Sequence, residues 1–151
     1  MNLKNYTSNV PAMTTIAYIE SYLTGSGLVT GITKEIKSGR TVSLVFNTEQ
    51  DGKMFTVRLP AQVEKVHEFL WHEYMSNSKR PRKTKEDFLE QAERCAWKIQ
   101  QDWVQIQMSL IKLKQASILQ VFMAYVWDGE QTFYEKLKGS VFRQIAQKAS
   151  E

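Results

Sequence analysis

Five basic side chains lie within seven residues of the sequence and form its most distinctive chemical feature. They are Lys79, Arg80, Arg82, Lys83 and Lys85. Clustered cations bind phosphate backbones because they displace condensed counterions, and the proline between Arg80 and Arg82 keeps the segment extended. This segment, here called the basic loop, is predicted to contact nucleic acid through backbone charge. An ordinary solvated surface loop is the alternative interpretation.

The basic loop also accounts for the net charge of the chain. The sequence has 20 Lys and Arg against 16 Asp and Glu, a formal net charge of +4. Without the five loop cations, 15 basic residues remain against 16 acidic ones, a net charge of −1. Attraction to a polyanion is therefore expected to act at this segment.

No aromatic residue interrupts the basic loop, and the nearest ones in sequence are Tyr74 and Phe88. A stacking platform for single-stranded bases is therefore not predicted. The chain has four tryptophans, and core packing is the usual role of such side chains. Trp103 fits that role because it lies on an apolar helical stripe, whereas Trp71, next to His72, is a candidate anchor for a partner.

The patterns that would indicate metal binding or acid–base catalysis are weak. His67 and His72 are five residues apart, which places them about 140° apart around a helix, so they cannot face one zinc ion. His72 is instead expected to pair with Glu68. The carboxylates at the start of the long helix offset its dipole; they are Glu86, Asp87, Glu90 and Glu93. We predict no metal, no cofactor and no enzymatic activity.

Cysteine chemistry and nucleotide binding are not indicated either. Cys95 lies on an apolar helical stripe between Ala92 and Ile99, with no histidine nearby in sequence, so a buried, inert thiol is predicted. The Gly25-Ser26-Gly27 segment ends a helix, whereas a phosphate-binding loop begins one. Sequestration of a small nucleotide signal is therefore the least favoured function.

The elements that must position these residues begin with a helix and a sheet. Apolar residues recur at helical spacing between residues 11 and 24. Residues 28–60 are rich in β-branched side chains and are divided by two glycine-containing turns, which predicts three antiparallel strands with one covered face. Lys34 shares a face with Ile32 and Ile36, and an inward-pointing lysine indicates an edge strand.

Helical patterns dominate after the sheet. One helix is predicted to end near Asn77, and Thr84 with Asp87 resembles a capping box before a long helix. One or two further helices follow. The order of helix, three strands and a helical C-terminal half with one long central helix predicts an α+β fold, with residues 1–151 as a single domain.

The long helix carries two apolar stripes. The main stripe is Phe88, Ala92, Cys95, Ile99, Trp103, Ile106, Leu110 and Leu113, and the second stripe is Trp97, Val104, Met108 and Ile111. A compact chain of this size is about 40 Å across. A continuous helix through all of these positions would be longer than that, so the helix either bends back near residues 114–117 or projects from the compact body. If it projects, a symmetric homodimer is predicted to cover the second stripe.

Composition limits the class of protein. A chain of 151 residues, 42% hydrophobic and 24% charged, is typical of one globular domain. The longest uninterrupted apolar run is residues 121–127, so neither a membrane span nor a secretory signal is expected. A lone cysteine suits a reducing compartment. The predicted location is the cytoplasm.

Several segments resemble a family of small phage and prophage proteins. They are Val10-Pro11, Thr15-Ile16, Ile19-Glu20, residues 55–60, residues 91–99, Asp102-Trp103 and Gln107. The resemblance covers nearly the whole chain, but Cys95 and the basic loop are peculiar to this chain. The family is chiefly uncharacterised, so the resemblance implies a phage setting in a host cytoplasm and no catalytic residue.

Two classes of function are carried forward. The first is a non-catalytic phage accessory protein that binds nucleic acid, or a nucleic-acid-handling host defence complex, through the basic loop. The second is a protein–protein interaction module that acts through Trp71 or through self-association, with no nucleic-acid contact.

Overall fold

The structure is a computed structural model that describes residues 2–140 and 142–146, and it begins with a helix. This helix, α1 (Ala12–Gly25), follows Pro11, which lacks a backbone donor and therefore suits a helix start. Its buried residues are Ala12, Thr15 and the predicted apolar residues Ile16, Ile19 and Leu23. The predicted amphipathic helix is confirmed.

A three-stranded antiparallel sheet follows α1. Its strands are β1 (Val29–Lys37), β2 (Arg40–Gln50) and β3 (Lys53–Pro60), in the order β1-β2-β3. Each hairpin turns through two residues with positive φ, Ser38-Gly39 and Asp51-Gly52, as tight turns of this type require. Phe46 lies opposite both Ile32 and Val57, which places three apolar side chains on the covered face. The predicted hairpins and one-sided sheet are confirmed.

The edge strand β1 carries its lysine on the covered face. Lys34 lies opposite Leu44, which is fully buried. Lys34 Nζ lies 3.1 Å from Oε1 of Glu20 on α1. The predicted edge is confirmed, and the ion pair explains how a charge is accommodated beside the core.

Two longer helices complete the body of the fold. α2 (Val63–Met75) follows the sheet, and a 3₁₀ turn, Lys85–Phe88, leads directly into α3 (Leu89–Lys112). The Thr84 amide donates to the Asp87 carboxylate at 2.8 Å, as the predicted capping box requires. α3 packs against α1 and α2, and Trp97 Nε1 donates to the carbonyl of Thr41 on β2 at 3.3 Å.

The chain reverses direction at the end of α3. Lys114 has a φ of +60°, and the Ser117 side chain accepts the Gln120 amide to cap α4 (Ile118–Phe122). The buried ring of Phe122 lies 5.2 Å from that of Phe46 on the sheet. The long helix therefore bends back at the predicted interruption and does not project.

The last described segments return to the sheet. After a 3₁₀ turn, Met123–Tyr125, Val126 pairs with Val57 and the Trp127 amide donates to the Thr56 carbonyl at 2.8 Å. Two short helices follow, α5 (Phe133–Ser140) and α6 (Phe142–Ile145). In the described part of the chain, no helix has the length and apolar character that a membrane crossing requires.

Both stripes of α3 are buried toward the start of the helix and more exposed toward its end. Trp97 and Val104 of the second stripe are fully buried within the chain. On the main stripe Cys95 is buried, but Ile106 and Leu113 are 59% and 68% exposed. The chain's own core therefore covers the first part of the second stripe, whereas Met108 and Ile111 are half-buried and line an open groove beside α1.

Candidate nucleic-acid interface

The basic loop connects α2 to α3 and folds back onto Tyr74 in the last turn of α2. The Tyr74 hydroxyl accepts the amide of Lys83 at 2.7 Å and donates to the carbonyl of Pro81. At the start of the loop, the Lys79 amide donates to Oδ1 of Asn77 at 3.0 Å. These contacts give an exposed segment a defined path.

Arg80 is held against the end of α2. Its guanidinium donates to the carbonyls of Asn77 at 3.1 Å and Met75 at 3.4 Å, and it lies 5.8 Å from the ring centroid of Tyr74. The last carbonyls of a helix lack intrahelical partners and attract cations. Carbonyl groups carry no net charge, so Arg80 is positioned without being neutralised.

Three rings, here called the aromatic cluster, lie beside the loop: Trp71, Tyr74 and Phe88. Trp71 stacks on Tyr74 with ring centroids 5.4 Å apart and an interplanar angle of 27°. Phe88 lies 5.0 Å from Tyr74 and 6.1 Å from Trp71. Lys83 Nζ lies 5.6 Å from the centroid of the Phe88 ring. The sequence did not predict a stacking platform, because it showed only distance along the chain; the fold of the loop brings these rings beside the cations.

Four of the five loop cations have no acidic partner in the part of the chain that the structure describes. Within the described ranges no carboxylate forms an ion pair with Lys79, Arg80, Arg82 or Lys83. Lys85 differs, because its Nζ contacts the carboxylate of Glu68 on α2. This contact lowers the pKa of Glu68. Lys85 is thus engaged within the fold, which reduces the predicted set of free cations from five to four.

A shallow groove of about 490 Å³ runs between the basic loop and α2. It is lined by Trp71, Tyr74, Met75, Ser78, Arg80, Pro81, Arg82 and Lys83. The groove therefore brings Trp71 together with three of the predicted cations, whereas Lys79 and Lys85 do not line it. Trp71 and the loop, which the sequence assigned to two alternative functions, form one surface.

The other tryptophans have structural roles. Trp97 is fully buried, and Trp103 packs its ring against those of Phe122 at 5.5 Å and Tyr125 at 5.7 Å. Trp127 lies beneath the Arg58 guanidinium at 5.4 Å. The predicted core role of Trp103 agrees with these contacts, and Trp71 is the tryptophan that lies at the interface.

The two histidines form separate contacts. His67 Nε2 lies 2.7 Å from the carbonyl oxygen of Lys85, and His72 Nε2 lies 4.0 Å from Oε2 of Glu68. The expected pairing of His72 with Glu68 is therefore present. Among the residues that the structure describes, no group of three or more His, Cys, Asp or Glu side chains could hold a metal ion.

Cys95 is buried, as predicted, and its surroundings oppose ionisation. Burial raises the pKa of its thiol to about 11, and Sγ donates to the carbonyl of Lys4 at 3.4 Å. Because the thiolate is the nucleophile, such a thiol is unreactive at neutral pH. Two of the helix-start carboxylates are also engaged: Glu90 pairs with Arg94 and Glu93 with Arg40.

Comparison with protein-family models, with curated proteins and with solved structures finds no match to this chain. The geometry of the interface therefore carries the functional argument. The resemblance to small phage proteins stays a prediction.

Proposed function

We propose that the chain is a non-enzymatic protein that binds nucleic acid through the basic loop. The observation that supports this most directly is the group of four cations on one exposed, defined loop that have no acidic partner among the residues described. Each such cation releases condensed counterions when it meets a phosphate, and this release drives binding without reading sequence. Affinity is therefore expected to be sequence-independent and to fall steeply with salt.

The proposed setting follows from the resemblance and from the lone, buried cysteine. In a host cytoplasm, the loop would serve a phage accessory protein that handles nucleic acid. The alternative target is a host defence complex that handles nucleic acid, which the same loop would contact at the nucleic acid that the complex holds. In both cases the loop cations meet a phosphate backbone, so direct binding of nucleic acid is the property to measure first.

Salt dependence provides the test. The binding of a fluorescently labelled duplex is measured by anisotropy over a series of salt concentrations. Four phosphate contacts give a log–log slope of about −3.6, which is a loss of about 150-fold in affinity between about 50 and about 200 mM salt. Changing Lys79, Arg80, Arg82 and Lys83 together to Ser, here called the loop variant, is expected to bring this slope close to zero.

A matched control separates the loop from net charge. Changing Lys37, Lys53, Lys65 and Lys112, which are exposed elsewhere on the surface, to Ser removes the same formal charge. We expect this control to retain most of the affinity and of the slope. Equal losses in the two variants would contradict a local interface, and unchanged binding by the loop variant would refute the proposed function.

A further inference from the structure

The groove beside the basic loop offers more than charge. The Trp71 ring stacks on that of Tyr74 with centroids 5.4 Å apart, and the Arg80 guanidinium carbon lies 5.8 Å from the Tyr74 ring centroid. All three groups are flat. Aromatic rings and guanidinium planes are the surfaces on which proteins stack unpaired bases.

Tyr74 and Trp71 differ in what they leave available. The Tyr74 ring is in contact with Trp71, Phe88 and Arg80, and its hydroxyl is hydrogen-bonded to the loop backbone. The Trp71 indole N–H, by contrast, makes no hydrogen bond among the described residues, and it is not a buried unsatisfied donor. Trp71 lines the groove, and its indole N–H is not committed to a partner among the described residues.

The surrounding charges suit a strand whose bases are turned toward Trp71. Arg80, Arg82 and Lys83 line the same groove. A duplex offers phosphates but keeps its bases stacked on each other, so it can contact only the cations and not the Trp71 ring. A single strand satisfies both parts of the surface.

We propose that this groove selects single-stranded nucleic acid, with one unpaired base stacked on Trp71 and the flanking phosphates held by Arg80, Arg82 and Lys83. This inference rests on the proposed function. Stacking on a ring does not read a base edge, and the cations that line the groove are assigned to phosphates, so we expect little preference among bases.

The test uses the full chain and three probes of matched charge. They are a 15-nucleotide oligothymidylate, a duplex with the same number of phosphates, and inorganic polyphosphate, which has no bases. The wild-type chain is expected to bind the oligothymidylate most tightly at high salt, because stacking is not screened. Equal affinity for all three probes would show binding by charge alone and overturn the inference, while the proposed function would stand.

Two variants of Trp71 identify the stacking residue. Trp71→Leu removes the ring and is expected to lower affinity for the oligothymidylate by about 5- to 150-fold, the loss of one stacked base, while binding of polyphosphate is unchanged. Trp71→Phe keeps a ring and is expected to retain most of the affinity. Tyr18→Leu, which removes an exposed ring on α1, is the matched control and should behave as the wild type.

Intrinsic fluorescence distinguishes stacking of a base on Trp71 from a purely structural role of that residue, because a structural role would cause no base-dependent quenching. Stacking of a base on Trp71 is expected to quench the emission of the wild-type chain with the oligothymidylate but not with polyphosphate. In Trp71→Phe, binding persists and this base-dependent quenching is lost. Quenching that survives in Trp71→Phe contradicts the inference. So does a parallel loss of oligothymidylate and polyphosphate binding in Trp71→Leu. If either occurs while the loop variant still loses all binding, the inference fails and the proposed function stands.

Discussion

Three arginines on the body of the fold each contact a carboxylate, whereas the two arginines of the basic loop do not. Arg40 lies 2.8 Å from Glu93, Arg58 lies 2.6 Å from Glu35, and Arg94 lies 3.0 Å from Glu90. In the loop, Arg80 contacts uncharged carbonyls and a ring, and Arg82 has no ion-pair partner within the described ranges.

The difference separates charges that contribute to the fold from charges that are available to a ligand. An arginine beside a carboxylate has little net field left to attract an anion, and it is held in one geometry. An unpaired arginine keeps its full charge for a phosphate. Among the described residues, Lys85 is the one loop cation that the body of the fold neutralises, through its contact with Glu68. This contact therefore marks the boundary between the two regions.

The largest effect on stability is expected in the body, at Val104. Val104→Glu places an unpaired carboxylate in the core, and we expect the free energy of unfolding to fall by more than about 4 kcal/mol. Urea unfolding followed by circular dichroism measures this loss. Ile106→Glu, two residues further along the same helix at a site 59% exposed, is the control and should change stability by less than about 0.5 kcal/mol.

Light scattering adds a second check on Val104. Because this residue is buried within one chain, the variant is expected to fail in folding and not in assembly. A wild-type dimer that Val104→Glu converts into folded monomers would show that the second stripe lies between copies after all.

The two stripes of α3 show what the periodicity of apolar residues can predict and what it cannot. Spacing in α3 correctly identified two apolar faces, and Ser38-Gly39 and Asp51-Gly52 located both hairpins, because these signals are local. Periodicity does not show which face meets the sheet. Trp97 was assigned to the secondary face and is fully buried, whereas Leu113 was assigned to the main face and is exposed.

The candidate site was predictable to a similar degree. The cations were evident from their clustering in the sequence, but their partners depend on the path of the loop. Glu68 and Lys85 are 17 residues apart, and the Tyr74 hydroxyl meets the Lys83 amide across nine residues that follow no regular pattern. The bridge between Val57 and Val126 has the same origin, because no local signal predicts a contact between a strand and a distant turn.

Cys95 is expected to give the next largest change. Cys95→Ala removes a buried sulfur and should lower the free energy of unfolding by about 1–2 kcal/mol, with affinity for nucleic acid unchanged. In the native wild-type chain, Ellman's reagent at pH 8 should not label this thiol until urea unfolds the protein.

The raised pKa of Cys95 also predicts a pH dependence. Below about pH 9 the thiol is protonated in the folded and unfolded states, and between about pH 9 and pH 11 it ionises in the unfolded state alone. Wild-type stability should therefore fall more steeply than that of Cys95→Ala as pH rises through this range. Parallel curves for the two proteins would mean that the folded chain exposes the thiol.

A smaller effect is expected from the ion pair between Glu35 and Arg58. Hydrogen bonds from Arg58 and then from Ser43 lower the pKa of Glu35, so its contribution to stability is present above about pH 4.5 and is lost as the pH falls below that value. Because both partners are partly exposed, Glu35→Gln should cost about 0.2–1 kcal/mol at pH 7. Unfolding curves of the variant and the wild type should converge in acid; a constant difference would assign the cost to something other than charge.

The smallest effect on stability is expected from the loop variant that removes Lys79, Arg80, Arg82 and Lys83. Contacts of Arg80 with Tyr74 and of Lys83 with Phe88 stabilise the loop by about 0.5–1 kcal/mol each at exposed sites. Repulsion among four like charges within five residues acts in the opposite direction. We expect these contributions to offset, so that the free energy of unfolding changes by less than about 0.5 kcal/mol.

Added salt should stabilise the wild type slightly more than the loop variant, because it screens the repulsion among the loop cations and leaves the ring contacts largely in place. If the loop variant instead loses more stability than Glu35→Gln, the loop cations contribute to the fold as the paired arginines do, and the distinction between the two regions fails.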